Sequence, residues 1–267
     1  MAKGFDCATP LTHISAKQFR ADGFEFVCRY LVPSGWKRLT KKEAGDISAA
    51  GLKIVSVFET TASRALGGRT AGLNDGRIAI ETAAVVGQPK GSRIYFAVDF
   101  DATASQMDKV LEYIKAARET ATAQGYTAGV YGSAAVVEAA MKAQACTGFW
   151  QTYAWSRGRK VEGIHIYQYD NGPKGLGKLL NNVNVDLDIA SGNVGWWDTL
   201  SRPEVQNPLK PGETQEVKER MLNKEDANKV IGFLKAAYEA VEQREAREEL
   251  HRLANELRKA SGQVEEN

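Results

Sequence analysis

Long apolar runs are missing from this chain. No stretch approaches the roughly 20 residues that a membrane-crossing helix needs, so a helical span is excluded. The first residues read at once as a strand, Gly4-Phe5-Asp6, leaving no room for the basic and apolar regions of a signal peptide. Synthesis in the cytoplasm is therefore expected, with release by another agent if the target lies outside. Cysteine is scarce: Cys7, Cys28 and Cys146 sit in or beside apolar segments, and three cannot pair completely, so they read as buried thiols of a reducing compartment. His13, His165 and His251 are too widely spaced for a zinc-ligand pattern. Charge of one sign is also lacking. The net charge is +2, with 23 Lys and Arg against 19 Asp and Glu in residues 1–200 and 12 against 14 beyond, too little excess in either part to attract nucleic acid.

What is present is a set of short apolar runs that each end on an acid, and 43% hydrophobic residues provide a core for them to join. The most telling is Ser92 to Ala102, in which Ile94 to Val98 carry no charge and Asp99 and Asp101 follow at once. Such a run suits a strand covered on both faces in a parallel sheet. Side chains two apart on a strand share a face, so both carboxylates are expected to project together from the strand's C-terminal end, where parallel α/β folds keep their chemistry. Gly4-Phe5-Asp6, Lys53 to Glu59 and Val183 to Asp188 repeat the pattern. A single acid at a strand end is equally well a helix N-cap. Several together point to a shared acidic pocket, because lone buried carboxylates are costly.

Between these runs the rhythm is strand then helix, with further strands predicted over residues 25–31, 52–58 and 127–132. Ser15 to Gln18, Thr40 to Glu43 and Thr103 to Gln106 read as capping boxes, Asn74 as the cap of a helix from Asp75, and Ser133 as the cap of a helix to about Lys142. Beyond this, Gly148 to Gln151, Ile164 to Tyr169 and Val183 to Leu187 look like strands joined by short Gly-, Lys- and Asn-rich connections. The count suggests a barrel whose last part lacks its outer helices.

The ensemble Gly4-Phe5-Asp6, Arg29-Tyr30, Phe58-Glu59, Tyr95-Phe96-Ala97-Val98-Asp99-Phe100-Asp101, Gly129-Val130-Tyr131-Gly132, Phe149-Trp150-Gln151, Tyr167-Gln168 and Val185-Asp186-Leu187-Asp188 covers nearly all of residues 1–200. It resembles the glycoside hydrolase-like family catalogued as domain of unknown function 1906, related to the family 25 glycoside hydrolases, the muramidase-type lysozymes, as in phage endolysins. The resemblance implies an α/β fold, a TIM-type (β/α)8 barrel with reduced helices in its last third. It also implies a site at the C-terminal mouth and hydrolysis of β-1,4 bonds in bacterial peptidoglycan with neither cofactor nor metal. Family 25 lysozymes carry an Asp-x-Glu pair whose Glu donates the proton, whereas this chain has Asp99-Phe100-Asp101.

Cleaving a glycosidic bond needs a proton for the leaving oxygen and negative charge near an oxocarbenium-like carbon, and crowded acids push at least one pKa upward. The candidate catalytic residues are Asp6, Glu59, Asp99, Asp101 and Asp186, with Asp101 expected as the acid, Glu59 its rival, and Asp99 and Asp6 as stabilisers or base. Trp36, Tyr131, Trp150, Gln151, Tyr167, Gln168 and Asp188 are candidates for binding sugar, although strand aromatics also serve as core. Trp196 and Trp197 are expected to pack where the barrel closes. Two other readings use the same pocket: a carbohydrate-binding barrel without turnover, and a hydrolase whose acids hold a divalent ion.

Gly172 to Lys178 has the wrong spacing for a phosphate loop and reads as a flexible turn. Residues 201–222, with Pro203, Pro208 and Pro211, read as a linker, and residues 223–267 as a helical accessory module capped by Asn223. Its apolar residues Val230, Leu234, Ala237 and Val241 are followed out of register by Ala246, Leu250, Leu253, Leu257 and Ala260, indicating one stuttering helix or a hairpin. A single apolar stripe cannot bury itself, so self-association into a homo-oligomer, wall targeting or docking on the barrel is expected.

Overall fold

A computed structural model closes the strand-helix rhythm on itself; it describes residues 1–200, 224–241 and 243–264. Strands β1 (Ala2–Asp6), β2 (Phe26–Tyr30), β3 (Lys53–Phe58), β4 (Arg93–Ala97), β5 (Thr127–Gly132), β6 (Gly148–Thr152) and β7 (Ile166–Asp170) pair in chain order, all parallel. A short β8 (Lys178–Leu180) forms a hairpin with β9 (Val183–Ala190), and β9 closes the barrel by pairing with both β7 and β1. Helices α1 (His13–Ala21), α2 (Lys41–Ala49), α3 (Gly68–Val86), α4 (Met107–Ala123) and α5 (Ala134–Lys142) follow the first five strands; no α-helix follows β6 or β7, and only a 3-10 turn at Pro173–Gly175 lies after β7. This is the TIM-type barrel with reduced helices in its last third.

The closing strand runs antiparallel to both neighbours, which the sequence pattern did not announce. A parallel return needs a crossover of about a dozen residues or more, usually a helix. Twelve residues separate β7 from β9 and three of them are spent on β8, which leaves too few for a crossover helix, so β9 turns back. As a result its N-terminal half, not its C-terminal half, lies toward the mouth.

Alternation along the strands builds two cores. Inside the barrel lie Phe26, Cys28, Val55, Val57, Tyr95, Ala97, Trp150 and Ile166, and outside it Phe5, Phe19, Ile94, Phe96 and Tyr113 pack between strands and helices. The interior is narrow enough that small residues must face large ones: a Cβ on Gly4 would lie 2.2 Å from the Phe26 ring, and one on Gly148 2.2 Å from the Arg93 side chain. The segment after β9 seals the N-terminal end, where Arg93 N donates to Gly195 O at 2.9 Å and Tyr95 OH to Val194 O at 2.9 Å. Trp196 packs on Phe26 against the interior core while Trp197 bridges to Ile54 on β3 in the outer core, so the pair straddles this end of the barrel, whereas the seam is made by β1 and β9.

Two helix starts and one capping box differ from the sequence expectation. Thr12, not Ser15, caps α1, with Ser15 in the reciprocal place of the box. Thr40 caps α2, but the Glu43 carboxylate turns away to the buried Arg29 guanidinium, 2.7 Å from Nε, and to the Leu11 amide. Helix α3 begins at Gly68 and runs through Asn74. Its glycines serve close packing: a Cβ on Gly72 would lie 2.2 Å from the Tyr113 carbonyl of α4. The caps at Thr103 and Ser133 stand where the spacing puts them, and all three cysteines are buried and free.

By contacts the chain divides into two units, Met1–Glu204 and Val205–Asn267. In the second, α6 (Lys224–Ala240) and α7 (Arg244–Ala260) pack on each other as a hairpin, burying Ala227, Ile231 and Ala254. The linker expected over residues 201–222 and the cap expected at Asn223 lie outside the described residues.

Candidate active site

The inward residues at the C-terminal ends of the strands enclose a cavity of about 470 Å³. Asp6 from β1, Tyr30 from β2, Glu59 after β3, Asp99 after β4, Tyr131 from β5, Trp150 from β6, Gln168 from β7 and Asp186 from β9 line it, with Trp155 and Asn171 from the loops above. Four of the five acids proposed for catalysis are thus gathered at one mouth.

Gln168 organises the cavity floor. Its carbonyl accepts from Thr152 Oγ1 at 2.6 Å and Tyr131 OH at 3.1 Å, which turns its amide NH2 toward two carboxylates, Asp6 Oδ2 at 2.7 Å and Asp186 Oδ2 at 3.3 Å. Asp6 and Asp186 are opposite one another across the β1–β9 seam. Burial, with the charge of Asp186 next, raises the Asp6 pKa to about 8; burial, then Asp170 and Asp99, raises Asp186 to about 6. Beneath them Asp188 is fully buried, and its Oδ1 accepts from Trp150 Nε1 at 2.9 Å. Desolvation, then the charge of Asp6, pushes the Asp188 pKa well above its ordinary value, which favours the protonated form that hydrogen-bonds Asp6.

Asp99 and Glu59 form the opposite wall. The Asp99 pKa is raised to about 6, first by burial and then by Glu59, against an opposing pull from Lys37. Among the described residues none hydrogen-bonds the Asp99 side chain. Lys37 Nζ lies 3.0 Å from Glu59 Oε1 and 4.1 Å from the Tyr30 ring centroid. Sequence reasoning passed over Lys37 and Trp155, and it quoted Tyr30 as part of a motif without a role in the site. Lys37 gives no local signal, since its partner Glu59 follows a different strand, while Trp155 carried the same signal as Trp36, an aromatic in a loop beyond a strand end.

The remaining candidates fall elsewhere. Asp101 does not line the cavity; it is an exposed side chain on the rim, 3.0 Å from Arg157 Nη2. Strand β4 ends at Ala97, so the two-residue alternation that was to pair Asp101 with Asp99 has no ladder to enforce it. Trp36 is 71% exposed and outside the cavity. Gln151 and Tyr167 point outward, as alternation demands once Trp150 and Gln168 point in. Gln151 is buried with its amide donating to Arg159 O at 2.7 Å and its carbonyl accepting from Val161 N at 2.8 Å, and Tyr167 lies under Lys160 on the outer face. Trp150 and Asp188 form the floor rather than a binding surface. Among the described residues no three His, Cys, Asp or Glu side chains are arranged to hold a metal ion.

Residues 17–190 match the family described as Rv2525c-like, glycoside hydrolase-like domain. The chain belongs to this family. The match spans seven of the eight quoted motifs and begins after Gly4-Phe5-Asp6. A Mycobacterium tuberculosis relative named "Putative peptidoglycan hydrolase Rv2525c" is 29% identical over 199 residues, 69% of this chain and 80% of the relative. The crystal structure of that Tat-secreted protein in complex with L-tartrate superposes with a TM-score of 0.64 at 25% identity, covering 73% of this chain and 98% of the other. The modular autolysin LytC of Streptococcus pneumoniae shares the fold alone, with a TM-score of 0.51 at 14% identity over 73% of this chain and 46% of LytC. No helix among the described residues is long and apolar enough to cross a membrane.

Proposed function

We propose that the barrel hydrolyses β-1,4 glycosidic bonds of peptidoglycan, a muramidase-type activity, with Asp99 as proton donor and Asp186 as the anion facing the oxocarbenium-like carbon. The observation that carries this is the division of the cavity acids into two environments. Both Asp99 and Asp186 are raised to about 6, so what separates them is their partners: no described residue hydrogen-bonds Asp99, whereas Asp186 accepts from Gln168 beside Asp6, and a donor there favours the anion. A proton donor and an anion facing each other across a sugar-sized cavity are what glycoside hydrolysis asks of two carboxylates. The glycoside hydrolase-like family and the name of its mycobacterial member support the substrate class. Rv2525c is secreted, and in this reading the present chain also acts outside the membrane, with the endolysin-like route of release suggested by the motif resemblance. Residues 223–267 then serve as an accessory module for self-association or wall targeting.

Mass spectrometry of purified peptidoglycan after digestion tests the reading. New reducing ends on muramic acid are expected. Wall that is bound yet uncut would support a binding barrel instead, and cleavage abolished by EDTA would support a metal-dependent hydrolase.

The pH dependence follows from the same two groups. Activity should fall as pH rises through about 6, when Asp99 loses its proton, and fall again below about 6, when Asp186 gains one. Lys37 lowers the Asp99 pKa by its charge, so Lys37→Met should move the alkaline limb of kcat/KM to higher pH. An unmoved limb would mean that another group donates the proton.

A further inference from the structure

One loop at the mouth holds its backbone outside the usual range. Between β6 and β7, Trp155 (φ 56°) and Arg157 (φ 51°) both take the left-handed conformation that residues other than glycine rarely adopt. Such geometry persists only where neighbours over-determine it. Ser156, buried between the two, donates to Thr152 O and accepts from the Ala134 amide at 2.9 Å. Tyr153 OH donates to Asn171 on the next loop, and Arg157 reaches Asp101 on the loop after β4 at 3.0 Å. The result is an indole on the cavity wall, 37% exposed.

We infer that Trp155 is the platform on which a sugar ring of the glycan stacks, and that Asp101 acts through Arg157 as the tether of that loop. This rests on the glycosidase reading and deepens it. The other aromatic side chains of the cavity are committed: Trp150 is 2% exposed, Tyr131 donates to Gln168, and the Tyr30 ring lies against the Lys37 ammonium. Trp155 has no aromatic or cationic partner among the described residues and so keeps a face for a pyranose, whose C–H bonds complement a flat π surface. Asp101 is a positioning residue here, one loop removed from the chemistry.

Kinetics on soluble glycan fragments, with tryptophan fluorescence as the binding signal, tests both parts. Trp155→Ala should raise KM about tenfold and Trp155→Phe should restore most of it. Asp101→Asn and Arg157→Met should each raise KM about two- to fivefold, as an exposed ion pair allows, with the double variant no worse than either and the pH profile of kcat unmoved. An unchanged KM in Trp155→Ala overturns the platform. A fall of kcat by about a hundredfold in Asp101→Asn, with Arg157→Met inert, overturns the tether and makes Asp101 the acid. Wild-type protein that neither binds nor cuts the fragments brings down the glycosidase reading and this inference with it, whereas cleavage by wild type with Trp155→Ala unimpaired brings down the inference alone.

Discussion

Asp99→Asn will lower glycan cleavage by about 10²- to 10⁴-fold, the range over which a positioned general acid acts. The substitution keeps the size of the side chain and removes only its transferable proton. Because no described residue hydrogen-bonds Asp99, the amide disturbs no neighbour, so wall binding and thermal stability should persist while reducing ends vanish. Glu59→Gln gives the control for the rival acid. It breaks the 3.0 Å pair with Lys37, whose charge opposes the rise of the Asp99 pKa, so it should change the pH profile more than the maximal rate. Asp99→Asn retaining activity within tenfold of wild type would remove Asp99 from the chemistry.

The second large effect concerns stability. Burial raises the pKa of Asp6 to about 8, of Asp99 and Asp186 to about 6, and of Asp188 well above its ordinary value. Between about pH 4 and pH 8 the folded chain therefore binds more protons than the unfolded one, and stability is highest at the acid end and lost as pH rises through these folded values. Asp188→Asn is the informative variant. An asparagine carbonyl can still accept from Trp150 Nε1, its NH2 can donate to Asp6 as the protonated acid does, and it has no proton to give up. The melting temperature at pH 8 should rise by at least about 3 °C, with little change at pH 5. Destabilisation at both pH values would mean that Asp188 is ionised in the folded protein.

Much of the architecture was legible because periodicity and capping are local. The apolar run at Ile94 to Val98, the box at Thr103 and the cap at Ser133 each carry their signal within a few residues. The α3 start was missed because the close approach of α4 that admits Gly68 and Gly72 to the helix is not a local signal. Gln151 and Tyr167 were chosen together with Trp150 and Gln168, although adjacent strand residues cannot share a face. That error was avoidable from sequence. Lys37 was not: its partner Glu59 is close only after β2 and β3 have paired.

The order of apolar runs, the acids that end them and the absence of late helices determined by themselves that this chain would form a reduced α/β barrel with an acidic mouth. These are properties of neighbours along the chain. Only the tertiary structure decided which acids face the cavity and how each holds its proton. The antiparallel return of β9 turned Asp186 toward the opening and sank Asp188 beneath it, and the early end of β4 sent Asp101 to the rim. Direction of a closing strand and depth of burial are set by contacts between segments distant in sequence, and burial is the main cause of each raised carboxyl pKa here.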